Sequence, residues 1–286
     1  MEGFCDVEAG GFRFRGTSRA GLATAVAIDS LGILCDAGAC DLRMISADVV
    51  LLSHDHPDHF VALPQILTQR QLLGHGLMRI FAPTGMIDSL EAFLAAGQLA
   101  SARASWRYEL IGVEPGDWFE VGGGRRAQAF EVEHTVTTLG YIVYDVRRKL
   151  LEELHGQSPQ DLAARRAQGE PVDREVLVPL IAISGDTVAA GLRAHPDVAK
   201  ARVLLAECTF IDAAHRERAV ETAHTHLDDL VALLESFENE AVVLYHFSLR
   251  YRAEEIDEAL SERLGAGLRQ RVKVLLPGAW TPGSIR

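Results

Sequence analysis

The sequence predicts an α/β fold in which layered sheets are flanked by helices. Short runs rich in Val, Ile and Leu recur along the chain, Gly, Pro or Asp bounds them, and amphipathic helical stretches lie between them.

Taken in order, the strand-like runs are Ala23–Ile28, Gly32–Cys35, Val49–Leu52, Met78–Phe81, Gln128–Val132, Tyr141–Tyr144, Leu177–Ile183, Val203–Ala206, Ala241–Tyr245 and Val272–Leu276. Such near-continuous apolar runs suit strands covered on both faces. The helical stretches are Leu63–Leu73, Gly85–Ala96, Leu227–Phe237 and Ala253–Leu264. In the last, Ile256, Leu260 and Leu264 recur every fourth residue and form one apolar stripe. Residues 147–174 stand apart. They are polar and helix-prone, interrupt the strand pattern, and read as an insertion that projects from the core. Arg147, Arg148, Lys149, Arg165 and Arg166 concentrate positive charge there.

The chain has 286 residues, enough for a sizeable core. Its formal charge of −12 does not describe a protein coated in positive charge for nucleic acid, although a local basic patch can sit on an acidic body. None of Cys5, Cys35, Cys40 and Cys208 forms a C-x-x-C pair, so thiolate zinc and redox motifs are not expected. The N-terminus lacks the basic-then-apolar pattern of a signal peptide, and no apolar run reaches membrane-spanning length. A reducing cytoplasm is the expected compartment.

The informative stretch is VVLLSHDHPDHF, residues 49–60. A buried strand ends in His54, Asp55, His56, Pro57, Asp58 and His59. Two histidines separated by one residue after a strand can point two imidazoles at one ion, and Asp58 with His59 can reach a second. Imidazole with carboxylate suits zinc, manganese or iron rather than calcium. Further donors follow three later apolar runs: His134 after QAFEVE, Asp186 after VPLIAISG, and His246 after AVVLY. Ligands at several strand ends are how a rigid sheet edge holds a metal site. His75, His155, His195 and His215 lack this context and read as ordinary.

These residues resemble the metal-binding pattern of the metallo-β-lactamase superfamily. SGDT (184–187), AECTF (206–210), AHTH (223–226), HFSLRY (246–251) and EHTVTTLGYIVY (133–144) narrow the resemblance to the tRNase Z family, most like its short plant-type form. It runs from about residue 10 to about residue 265. It implies a four-layered αβ/βα sandwich, a single domain over 1–286 with the 147–174 insertion as an exosite arm. It also implies two zinc ions, one held by His54, His56 and His134, the other by Asp58, His59 and His246, with Asp186 bridging. Asp36 resembles an aspartate that orients a ligand histidine. Glu207 and His224 match a pair in which the histidine gives a proton and the glutamate holds it, while the neighbouring His226 leaves the assignment open. Ser248 and Arg250 match residues beside the scissile end of the RNA, and Arg147, Arg148 and Lys149 fall where the family grips tRNA.

The implied activity is a zinc-dependent endoribonuclease that cleaves precursor tRNA on the 3′ side of the discriminator base, working as a homodimer. The early loop 15–25 departs from the family by lacking the PxKxRN motif with which some bacterial members sense a CCA end. A second reading keeps fold and metals but acts on a small phosphodiester, lactone, thioester or sulfate ester, which the acidic surface favours. A non-catalytic RNA-binding relative fits poorly, since such a relative would lose metal ligands first.

Overall fold

A computed structural model describes residues 3–101 and 105–276. The parts of the 1–286 domain range at 1–2, 102–104 and 277–286 lie outside the described residues. Two seven-stranded sheets organise the chain. The first contains β1 (Cys5–Ala9), β2 (Phe12–Arg19), β3 (Ala23–Ile28), β4 (Ile33–Cys35), β5 (Val49–Leu51), β6 (Met78–Pro83) and β7 (Tyr108–Val113), in that spatial order. The second contains β8 (Trp118–Gly122), β9 (Arg125–Val132), β10 (Thr138–Leu150), β11 (Asp173–Ile183), β12 (Val203–Glu207), β13 (Ala241–Tyr245) and β14 (Val272–Val274), in sequential spatial order. The helices are α1 (Leu63–Leu72), α2 (Ile87–Ala100), α3 (Pro159–Ala167), α4 (Arg216–Glu221), α5 (Leu227–Leu234), α6 (Ala253–Arg263) and α7 (Ala266–Arg271).

Strand alternation explains why the apolar runs are continuous. Val49 and Leu51 join the core between the sheets, while Val50 and Leu52 face the layer containing α1 and α2. In the second sheet Val203 and Leu205 point to the shared core, and Leu204 and Ala206 point to the layer containing α5 and α6. Each sheet is therefore buried on both faces, giving helix, sheet, sheet, helix in four layers.

The topology gathers strand ends. Strands β11, β12 and β13 are mutually parallel, and β9 shares their direction because two antiparallel steps through β10 restore it. In the first sheet β4 and β5 are parallel. Their C-terminal ends deliver Asp36, His54, His134, Asp186, Glu207 and His246 to the cleft outside a sheet edge, where α/β folds place ligands. The two sheets are tied there by Leu139 N–H to Ser53 O (2.9 Å) and Tyr141 O–H to Leu52 O (2.6 Å).

The insertion differs from a helical segment. Strands β10 and β11 pair from Tyr141↔Ile183 out to Leu150↔Asp173, so its base is a two-stranded ribbon. Only α3 and a single 3-10 turn at Glu152–Leu154 are helical within it. Ser158 caps α3 by accepting from Asp161 N–H, and no α3 residue is buried. Ladder hydrogen bonds win over helix propensity at both flanks because the strands simply continue out of the core.

Candidate metal centre

Five histidines and two aspartates converge at the sheet edge. His54 Nε2 lies 3.0 Å from His56 Nδ1, and His134 Nε2 lies 3.4 Å from the same nitrogen. Beside them, His59 Nε2 is 3.5 Å and His246 Nε2 is 3.8 Å from Asp58 Oδ2. Asp186 Oδ2 stands between the groups, 3.8 Å from His54 Nε2, 3.3 Å from His59 Nε2 and 3.2 Å from His246 Nε2. Nitrogens of a tetrahedral site with bonds of about 2.1 Å would be separated by about 3.4 Å, so these spacings match a ligand shell.

The imidazoles do not reach these positions by chance. Asp36 accepts from Ser53 N–H (2.8 Å), from the Ser53 hydroxyl (2.9 Å) and from His59 Nδ1 (2.8 Å). With its proton spent on Asp36, the Ser53 oxygen accepts from His54 Nδ1 at 2.9 Å. His134 Nδ1 donates to the Ala223 carbonyl at 2.9 Å. The Thr209 hydroxyl donates to Glu207 and accepts from His246 Nδ1 at 2.9 Å. In all four rings the Nδ1 proton is thus engaged outward and the Nε2 lone pair is turned inward, which is what metal ligation needs.

The backbone is strained where it makes this arrangement. Asp36, Ala223 and His246 are the non-glycine residues with positive φ among the described residues, at 55°, 50° and 66°. One orients His59, one supplies the acceptor for His134, and one is itself a donor. Each such conformation costs on the order of 1–3 kcal/mol and persists only where the surroundings over-determine it. Gly185 has φ +63°, and a Cβ there would lie 2.9 Å from Leu139 O and 3.1 Å from Ser53 Cβ. The SGD turn accordingly needs glycine to bring Asp186 against the histidines.

The donor set fits a metal. His59 Nε2, His246 Nε2 and Asp186 Oδ1 are buried without a hydrogen-bond partner, a costly state for groups that no protein atom satisfies. Burial holds the His54 and His134 imidazoles below their usual range and so favours the neutral ligand form. Burial works against the charge on Asp58, but His246 and His59 reverse it and bring the carboxyl to about 2. For Asp186 burial is likewise outweighed by His246 and His59, which hold it well below the carboxylate range.

Glu207 is buried at the end of β12 and fully used. It accepts from Thr187 N–H (3.0 Å), Thr225 N–H (3.1 Å) and His224 Nδ1 (2.9 Å) on one oxygen, and from Thr209 N–H (3.0 Å) and the Thr209 hydroxyl (2.8 Å) on the other. The His224 ring lies 4.9 Å from that of His134 and 5.3 Å from that of His246, so it overhangs both groups. Burial opposes a charged His224, but the Glu207 carboxylate prevails and raises it to about 9. His226 is engaged elsewhere: Nδ1 caps α5 by accepting from Asp228 N–H, and Nε2 donates to Asp212 O. Of the two histidines that the sequence leaves open, His224 is the one whose ring faces the cluster.

Ser248 is buried two residues beyond His246, and its hydroxyl accepts from Arg250 Nη1 at 3.1 Å. Arg250 is exposed and has no carboxylate partner among the described residues. In the insertion Arg147 pairs with Asp145 (2.7 Å), Arg148 and Arg166 share Asp173 (3.1 and 3.3 Å), and Arg165 pairs with Glu170 (2.8 Å). Lys149 makes no ion pair among the described residues. His75, His155, His195 and His215 enter none of the groups able to hold a metal among the described residues. The orienting residues Ser53, Thr209, Thr187, Thr225 and Ala223 escape the sequence reading. Thr187, Thr209, Ala223 and Thr225 lie inside quoted motifs and Ser53 adjoins His54, but residue type alone gives no sign of an orienting role, least of all for the Ala223 carbonyl.

Residues 39–151 match the Beta-lactamase superfamily domain. The chain is 31% identical over 271 residues to tRNase Z TRZ1 of Arabidopsis thaliana, covering 94% of this chain and 96% of that protein. It is 30% identical over 232 residues to ribonuclease Z of Methanosarcina acetivorans, covering 73% and 72%. Among solved structures, the short form of human tRNase Z superposes with a TM-score of 0.59 at 20% identity, covering 91% of this chain and 92% of that one, a likeness of fold. Two sheets covered by helices, a histidine–aspartate cluster at their shared edge and near full-length similarity to named relatives together place this chain in the tRNase Z family of the metallo-β-lactamase superfamily.

Proposed function

We propose that this protein is the endoribonuclease that cleaves precursor tRNA on the 3′ side of the discriminator base. The observation that carries the reading is the Glu207–His224 pair overhanging a histidine–aspartate centre, in a chain similar to a tRNase Z over nearly its whole length.

In this reading His54, His56 and His134 would hold one zinc ion, Asp58, His59 and His246 would hold the other, and Asp186 would serve both. Two such ions supply Lewis acidity toward a phosphoryl oxygen and toward the attacking water. Manganese or iron also suit the same donors. His224 carries a proton at neutral pH and gives it from Nε2 to the leaving ribose 3′-oxygen as the phosphorus–oxygen bond breaks. Glu207 fixes the ring through Nδ1 and stabilises its charge. Ser248 holds the Arg250 side chain, leaving guanidinium donors for a phosphate.

Arg147, Arg148 and Lys149 lie on the ribbon of the insertion, which we assign as the arm that grips tRNA. The ion pairs of Arg147 and Arg148 have exposed guanidinium groups, and such surface pairs are worth only about 0–1 kcal/mol, so phosphates can take over these arginines at little cost. A homodimer in the cytoplasm completes the reading. No helix among the described residues is long and apolar enough to cross a membrane.

The direct test is incubation of zinc-loaded protein with a 3′-extended precursor tRNA, with the cut mapped by primer extension. A single cut after the discriminator base is expected. An intact precursor alongside turnover of bis(p-nitrophenyl) phosphate would move the function to a small ester. His224→Ala should lower kcat roughly 10²–10⁴-fold on the precursor while leaving metal content unchanged, and an unaltered kcat would remove His224 from proton transfer. Replacing Arg147, Arg148 and Lys149 together by Ala should weaken precursor cleavage and spare bis(p-nitrophenyl) phosphate hydrolysis. Equal losses on both substrates would refute the arm assignment.

A further inference from the structure

The turn between β2 and β3 reaches the metal centre from a part of the sequence that carries no ligand. Leu22 N–H bonds to Arg19 O at 3.0 Å and closes the turn, with Gly21 at φ +71°. A positive φ suits glycine and turns the flanking amides outward. Neither outward amide goes to solvent. Ala20 N–H bonds to Phe247 O at 3.2 Å, and Gly21 N–H bonds to Asp58 Oδ2 at 2.9 Å. A third tie, Arg19 Nη2 to Tyr251 O at 3.0 Å, anchors the base of the same turn to the same C-terminal loop.

These ties meet two residues of opposite halves. Asp58 follows β5 of the first sheet, whereas Phe247 is the neighbour of His246, which follows β13 of the second. Asp58 is the least enclosed of the carboxylates that face the histidines, with 14% of its side chain exposed against 2% for Asp186. Among the described residues the Gly21 amide is the one hydrogen-bond donor outside the imidazoles that reaches it. A carboxylate held at one point only by other ligands could swing away. The amide removes that freedom, and the next amide back holds the residue beside His246.

We propose that the β2–β3 turn is a backbone clamp that positions Asp58 against His246 and so sets the affinity of the second metal ion independently of the first. Gly21 is a positioning residue that acts on Asp58 through its N–H. Its side of the turn has open space: a Cβ there would meet nothing within 4 Å, so the glycine answers to conformation and not to crowding. The clamp acts on the group formed by Asp58, His59 and His246 and touches none of His54, His56 and His134. It rests on the two-ion reading above.

The test replaces the Ala20–Gly21 amide by an ester, which removes the N–H while keeping every side chain and the positive φ. The same replacement at the Gly10–Gly11 amide, in the turn between β1 and β2, is the control. Zinc is titrated against a chromophoric chelator, and the melting temperature of the metal-free chain reports folding. The ester at Gly21 should weaken the second zinc about 10–100-fold, leave the first within about twofold, and leave melting equal to the control. Gly21→Pro should weaken the second zinc at least as much. Retention of both affinities, or an equal loss of both, would overturn the clamp. A wild-type chain that takes up no second zinc would overturn the two-ion reading, and the clamp with it.

Discussion

The site depends on where the Nδ1 protons go. Asp36, Ser53, Thr209 and the Ala223 carbonyl each engage one ligand imidazole from behind, and the opposite nitrogens are forced to face one another across a small buried space. Left to themselves, buried lone pairs and the Asp186 carboxylate would be expensive company. The sheets compensate by supplying rigid strand ends, and three residues accept left-handed backbone to complete the geometry. Folding free energy is thus spent on a constellation whose donor set a metal cation could satisfy.

The same network joins the histidine–aspartate cluster to His224. Thr209 touches both His246 and Glu207, and Glu207 in turn holds His224. One carboxylate therefore fixes the His224 ring, and through one hydroxyl it also fixes the His246 ring. Perturbing Glu207 would disturb both, so effects of substitutions here should be strongly non-additive.

Much of this was legible in the sequence, for a physical reason. Ligands must sit on strand ends, and strands covered on both faces advertise themselves as unbroken apolar runs, as VVLL before His54 and AVVLY before His246 do. Strands β1, β2, β7 and β8 were not legible. β1 and β8 are edge strands with exposed alternate residues, and β2 alternates an exposed Arg13 and a half-buried Arg15 with buried positions and ends on a buried Arg19. In the insertion, polar composition masked a ribbon whose stability comes from pairing and not from burial. The histidines and aspartates that cluster at the sheet edge stand out in the motifs, but backbone donors and acceptors such as Gly21 N–H and Ala223 O carry no residue-type signal. The choice between His224 and His226 likewise required three-dimensional partners, since both occur in one tetrapeptide.

Asp186 Oδ2 lies 3.8 Å from His54 Nε2 and nearer still to His59 and His246, so one carboxylate faces both groups of donors. The measurement that tests it most directly is metal stoichiometry of purified Asp186→Ala by inductively coupled plasma mass spectrometry, alongside hydrolysis of bis(p-nitrophenyl) phosphate. Fewer than two ions per chain and loss of hydrolysis are expected if Asp186 serves both groups. A folded variant that retained two ions and full hydrolysis would contradict it.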